Sequence, residues 1–397
     1  MSTHVRGSEV AQETHKEQER PPFECVALLL QGGGALGAYQ AGVYQALSDA
    51  HLHPDWVAGI SIGAINSALI AGNAAEARVA KLRQFWELIT VSAPWDSLAG
   101  LAPMRWAMRG EFARELLNQM SAGVAMAGGV PSFFSPRMPF PWMQPTGSLE
   151  ATSYYDTTLL KATLERLIDF DRINAGDMRF SIGAVNVGTG NFVYFDNTTH
   201  TIKPEHVMAS CALPPGFPAI EIEGEFYWDG GLISNTPLQW VLESEPRQDT
   251  LAFQVDLWSA RGAFPRNMAE VITRQKEIQY SSRTRTNSDR FKYTQKVRNA
   301  LSSLLQKLPD ELKDSPEFGV LNPLACPKVY NLVQLIYRAK HYEGDSKDYE
   351  FSRLSMVDHW RAGYDDTVQT LSHPEVLERP RSPEGVFIFD IAEHPRE

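Results

Sequence analysis

Ser61 stands between Gly59 and Gly63, where the apolar run 56–60 meets a helix-like run that begins at Ile62. A serine so placed has the spacing of a nucleophile elbow. The turn is tight enough that the residues two before and two after must be small, and the following helix aims its amide dipoles at the serine oxygen. The chemistry would be attack on an acyl carbonyl. Glycine and serine also make ordinary turns, so the motif needs company. Gly32-Gly33-Gly34-Ala35-Leu36-Gly37 follows the apolar run 26–30 and leads into an amphipathic run over 39–50. A row of amides unshielded by side chains at a helix start binds an anion, either a stable phosphate or the transient oxyanion of acyl transfer. The same letters satisfy the dinucleotide fingerprint, which expects an acidic residue at the end of the second strand. Here Asp55 precedes the second apolar run and Ser61 closes it, which argues against a dinucleotide.

Asp229-Gly230-Gly231 closes a strand-like run over 225–228, a few residues before Thr236-Pro237, which reads as an N-cap and first helical position. Asp-Gly is itself a common turn dipeptide. A serine hydroxyl nevertheless needs a proton acceptor as it attacks an ester, and a positioned, partly desolvated carboxylate can serve directly. The competing arrangement is a Ser-acid-His triad. After Asp229 it would have to draw on His341, His359, His373 or His394, none with a local signature, while His206 reads as structural.

The ordered set GGGALG, GISIG and DGG resembles the patatin-like phospholipases, in particular a bacterial subgroup with a C-terminal domain of unknown function. The segment Ala209-Ser210-Cys211-Ala212-Leu213-Pro214-Pro215-Gly216-Phe217-Pro218 extends the likeness, which covers roughly residues 24–260. The resemblance implies Ser61 as nucleophile, Asp229 as its dyad partner and the amides of Gly32, Gly33 and Gly34 as an oxyanion hole. Gly37, Gly59, Gly63, Gly230 and Gly231 support the motifs. It departs at Leu36, where members usually carry Arg or Lys, so the loop would work through backbone dipoles without that charge.

The elements around these motifs read as an α/β fold: strand candidates alternate with helical runs to about residue 90, which points to a mostly parallel sheet covered on both faces, in three α/β/α layers. Residues 95–150 form an insert carrying six of the eleven methionines (Met104, Met108, Met120, Met126, Met138, Met143) with Trp106, Phe133, Phe134, Phe140 and Trp142. Such a surface suits a lid or acyl groove, or an irregular insertion packed on the core. Asp156 is placed to cap a helix bearing Leu159, Leu160, Leu164 and Leu167. Gly188-Thr189-Gly190 joins two strand-like runs as a hairpin, and 251–257 reads as a buried strand. Residues 1–23 are polar and predict a disordered tail, 24–265 the acyl hydrolase domain, and 266–397 a largely helical extension.

The net charge of −11 argues against nucleic acid as a partner. Cys25, Cys211 and Cys326 are scattered and lack metal-site spacing, so no metal or disulfide framework is expected and a cytoplasmic setting is the natural one. No segment reads as a transmembrane helix. Between Arg274 and Arg298 eight basic residues face two acids. This is either a contact for anionic membrane or a set of charges that pair with the acidic remainder of the chain. The sequence reads as a serine acyl hydrolase of lipid-like carboxylic esters that uses no metal or organic cofactor. Phospholipid, lysophospholipid, neutral lipid and intracellular polyester or thioester all satisfy that chemistry. A non-catalytic lipid- or protein-binding adaptor keeping the fold is the alternative.

Overall fold

The computed structural model describes residues 20–90, 111–381 and 384–391. Its centre is a nine-stranded sheet. In chain order its strands are β1 (Cys25–Leu30), β2 (Trp56–Ile60), β5 (Arg179–Asn186), β6 (Phe192–Asp196), β7 (Ile220–Ile222), β8 (Glu225–Asp229), β9 (Thr250–Asp256), β10 (Tyr330–Ile336) and β11 (Val386–Phe389). The spatial order is β11-β10-β9-β1-β2-β5-β8-β7, with β6 also on β5. From β11 to β5 every pairing is parallel. The hairpin at Gly188–Gly190 folds β6 antiparallel onto β5, as its turn residues predict. A separate pair, β3 (Ser135–Pro136) and β4 (Tyr155–Asp156), ties the insert to the segment that follows it.

β1, β2 and β9 are buried along their whole length, so they read as continuous apolar runs rather than alternating ones. The period of two still sorts their side chains between layers. Val26, Leu28 and Leu30 face one core with Val57, Phe253 and Val255, while Cys25, Ala27 and Leu29 face the other with Trp56, Ala58 and Ala252. The first core is covered by α1 (Ala38–Asp49), α2 (Ile62–Ala71) and α3 (Ala75–Leu88). The second lies under α8 (Leu238–Glu243) and the long α9 (Met268–Leu305). The remaining helices are α4 (Glu111–Gly128), α5 (Thr158–Leu167), α6 (Phe170–Ala175), α7 (Pro204–Ser210), α10 (Asp310–Lys313), α11 (Pro316–Leu321) and α12 (Arg353–Leu371).

Three local expectations shift. The tail expected over 1–23 is already packed at its end: Arg20 pairs with Asp55 and Phe23 is buried, while residues 1–19 lie outside the described residues. α8 starts at Leu238 with Pro237, not Thr236, at the cap, because the Thr236 hydroxyl is drawn inward to Gln31. Asp156 sits one residue before the cap of α5 and still accepts the Thr158 N–H at 2.7 Å. Part of the Met-rich insert, including Met104, Trp106 and Met108, lies outside the described residues.

The chain beyond residue 266 is built into the same sheet. β10 and β11 extend it past β9, and α12 packs along α1. The run over 39–50 therefore has no solvent face: nine of the twelve residues of α1 are buried. The two helices touch backbone to backbone. A Cβ at Gly42 would overlap the Trp360 carbonyl, and one at Gly363 would overlap the carbonyl of Tyr39. Tyr39 donates to Asp366 at 2.9 Å and Trp360 to Gln45 at 2.7 Å across the same seam. Gly363→Ala should push the helices apart and lower stability by about 1–3 kcal/mol, the usual cost of overpacking a tight core. A urea midpoint unchanged from the parent protein would contradict this packing.

Candidate active site

Two strands share one edge of β5. β2 occupies it from Arg179 to Gly183, with Ile60 opposite Gly183, and β8 takes over from the next residue, with Asp229 opposite Ala184. β6 holds the other edge. β2 is parallel to β5 and β8 antiparallel, so their C-terminal ends meet head-on, and the next residue of β2 is Ser61. The Ser61 side chain is consequently brought beside the Asp229 carboxyl, which accepts the Gly231 N–H at 2.7 Å.

Ser61 adopts φ 56°, ψ −126°, a conformation that a side chain rarely takes and that stores strain at a tight strand-to-helix turn. The flanking glycines permit it by close approach: a Cβ at Gly59 would run into the backbone of Gly63, and one at Gly63 into the Leu30 carbonyl. The turn is further pinned from α7. Ser210 Oγ accepts the Ser61 N–H at 3.1 Å and donates to the Gly183 carbonyl at 2.7 Å, while Cys211 Sγ donates to the Ser61 carbonyl at 3.0 Å.

The glycine loop leaves β1 beside this turn, in line with the C-terminal ends of β2 and β9. Gly32 is clamped on both sides. Its N–H donates to the Asn235 carbonyl at 3.3 Å, and its carbonyl accepts Asn235 Nδ2 and Trp258 Nε1, each at 3.0 Å. The Ala35 N–H is also engaged, with the Asp348 carbonyl at 2.8 Å. Among the described residues no acceptor meets the amides of Gly33 and Gly34, which line the cleft with Ser61. Gln31 anchors the base of the loop: its side chain donates to Thr236 Oγ1 at 3.0 Å and accepts the Leu257 and Trp258 amides at 2.7 and 3.1 Å. Leu36 is fully buried in the core under α1 and α2, so no charge stands at that place.

The cleft holds about 400 Å3. Its walls are Phe133 and Phe134 from the insert, Tyr155 of β4, Leu213 to Phe217 from the loop after α7, and Tyr280, Tyr349 and Phe351 from the C-terminal region. Phe133, Phe134, Phe217 and Phe351 interlock with ring centroids 5.2–6.4 Å apart. Met126 of α4 lines the cleft and is half exposed. Among the described lining residues the charged ones are Asp229 and Asp348; none is Lys, Arg or His. His359 packs against Glu343 at 3.4 Å, His373 lies beside Glu375, and His206 Nδ1 caps α7 by accepting the Lys203 N–H. His394 lies outside the described residues. Among the described residues no group of three or more His, Cys, Asp or Glu is arranged to hold a metal ion, and no helix is long and apolar enough to cross a membrane.

Sequence reading missed Ser210, Asn235, Trp258 and Asp348 as supports of the site. Two carried a local signal: Ser210 lies in the segment that extends the likeness, and Asn235 four residues beyond Gly231. Four of the eight basic residues on α9 form ion pairs among the described residues: Arg274 with Glu277, Lys276 with Asp348, and Lys292 and Lys296 with Glu384.

The arrangement is a strand-turn-helix serine beside a buried carboxyl on a mostly parallel sheet in three α/β/α layers. A family model described as Patatin-like phospholipase matches residues 28–241, more than half of the chain, and the chain belongs to that family. A second model, DUF3734, described as Patatin phospholipase, matches residues 278–383. No curated protein gives a significant match. Among solved structures, VipD from Legionella pneumophila aligns over 97% of this chain and 78% of its own, with 14% identity and a TM-score of 0.37, a likeness too distant to speak to activity.

Burial drives the Asp229 carboxyl up to about 7, against the opposing hydrogen bonds from Ser61 and the Gly231 amide. A carboxyl raised in the folded state holds its proton where the unfolded chain has lost it, so folding stability falls as pH rises from about 3.8 to about 7. Asp229→Asn removes that loss. It should stabilise the protein at pH 8, by roughly 4 kcal/mol at most, and by less at pH 5. Urea unfolding at the two pH values checks this, and an Asn variant less stable than the parent at pH 8 would contradict it.

Proposed function

We propose that the protein is a serine acyl hydrolase in which Ser61 and Asp229 act as a dyad on uncharged carboxylic esters of lipid-like substrates. The observation that carries the reading is that Ser61, on a strained strand-to-helix turn, and the buried Asp229 carboxyl stand side by side in an apolar cleft. Ser61 Oγ attacks the ester carbonyl while Asp229 takes its proton, and the tetrahedral oxyanion turns to the amides of Gly33 and Gly34. The Gly32 amide, already bonded to Asn235, stays outside that role. Collapse of the intermediate breaks the ester C–O bond, and Asp229 returns the proton to the departing alcohol. Water then attacks the acyl-serine by the same route in reverse. A base near pH 7 suits this exchange, because it can both accept and return a proton.

Family membership implies a lipid substrate. The cleft supports a narrower choice. An acyl chain would lie among the phenylalanines, and a phosphate would meet the Asp229 carboxyl with no facing cation among the described lining residues, Asp348 being already paired with Lys276. Bringing an anion beside a buried carboxylate in low dielectric is strongly unfavourable. Neutral lipids and polyester chain ends therefore fit better than phospholipids.

Ser61→Ala should lower turnover of a soluble uncharged ester by about 10⁴-fold or more, and Asp229→Asn by nearly as much, since the two act as a unit. kcat/KM of the parent should rise with pH through about 7, because the ionised carboxylate is the base. His359→Gln should keep that limb. A neutral ester should be preferred over the matching phosphatidylcholine. Full activity of Ser61→Ala would contradict the assignment, and loss of the pH limb in His359→Gln would move the base to histidine.

A further inference from the structure

The C-terminal region has no role in the dyad, yet it touches the glycine loop directly. The Asp348 carbonyl accepts the Ala35 N–H at 2.8 Å and presses so closely on Gly34 that a Cβ there would overlap it. Gly34 holds φ +55° at that contact. The carbonyl thus fixes both the orientation of the peptide that follows Gly34 and how far the loop can lift. What holds the carbonyl is α9. Lys276 Nζ donates to Asp348 Oδ1 and Oδ2 at 2.9 and 3.1 Å and to the Asp345 carbonyl at 3.0 Å, and it lies 4.9 Å from the centre of the Tyr349 ring. The neighbouring residues form a second pair of opposite sense: Lys347 Nζ donates to Glu277 Oε1 at 2.7 Å. Lys347 also lies 5.2 Å from the ring of Trp258, whose indole N–H holds the Gly32 carbonyl. Adjacent Lys276 and Glu277 on α9 thus grip adjacent Asp348 and Lys347 with reversed charges.

We infer that the C-terminal region is a working part of the active site, and that the Lys276–Asp348 pair is a strut that holds the glycine loop in its amide-donating shape. This rests on the reading of Gly33 and Gly34 as the oxyanion hole. Lys276 and Asp348 are positioning residues: they meet the reacting atoms only through the loop. Donors held rigidly in advance are worth most in the transition state, so loosening them lowers kcat and leaves substrate binding largely intact. The double pairing also explains why these four charges stand so close to an apolar cleft, where unpaired charges would be costly.

The test uses the full chain with a soluble uncharged ester. Lys276→Met should lower kcat by about 10-fold or more, bounded by the roughly 10²–10³-fold loss seen when a donor is removed outright, with KM changed less than about threefold. Lys276→Arg should restore most of kcat, and Lys276→Glu combined with Asp348→Lys should recover more activity than either single change. Ser61→Ala is the control for the underlying reading. If it stays active, the hydrolase assignment fails. If it is dead while folded Lys276→Met keeps kcat within about twofold of the parent, the strut fails. Should the variants not fold, hydrogen exchange of the unmodified protein decides: Ala35 should be protected well beyond Gly33 and Gly34, and equal exchange at the three amides would overturn the inference.

Discussion

The edge of β5 is where the architecture becomes chemistry. A parallel strand fills its first half and an antiparallel strand its second, so two chain ends far apart in sequence are forced together at Gly183 and Ala184. Ser61 and Asp229 meet because neither strand can advance without displacing the other. The close approaches at Gly59, Gly63 and Gly230 follow from the same crowding, since a Cβ at each would strike the backbone of a neighbouring strand, turn or helix. Strain at Ser61 is tolerated because Ser210, Cys211 and the start of α2 hold the turn from three sides.

The second organising feature is that one sheet carries both matched regions of the chain. β9 lies between β1 and β10, so the loop after β9 brings Leu257 and Trp258 against the glycine loop while β10 leads the chain toward residues 341–351. The cleft is consequently assembled from stretches far apart in the chain: the glycine loop, the elbow, the insert, the loop after α7, the turn from Asp229 to Asn235, Trp258 after β9 and the C-terminal region. Its apolar walls raise the carboxyl of Asp229 toward neutrality, which makes the carboxylate a usable base.

The glycine loop, the elbow and the Asp-Gly-Gly turn were legible from sequence because each obeys local backbone rules that leave a fixed pattern of small residues. The hairpin at Gly188–Gly190 was legible for the same reason. What could not be read were contacts across hundreds of residues. Nothing near Asp348 announces that its carbonyl meets Ala35, and nothing in the run over 39–50 tells that α12 will cover its outer face. β10 and β11 were hidden because strands of four and seven residues inside a charged, helix-rich region leave little pattern of their own. The basic run on α9 could be read as a contact for anions or as charges paired within the chain, and only the fold shows which partners Lys276, Lys292 and Lys296 find, Asp348 and Glu384.

The most direct test of the account is where the protein becomes covalently modified. After reaction with a fluorophosphonate, peptide mass spectrometry should find a single adduct on Ser61. The modification rate should climb through pH 7 as Asp229 ionises and collapse in Asp229→Asn. An adduct on another residue, or labelling of Ser61 at an undiminished rate in Asp229→Asn, would contradict the dyad.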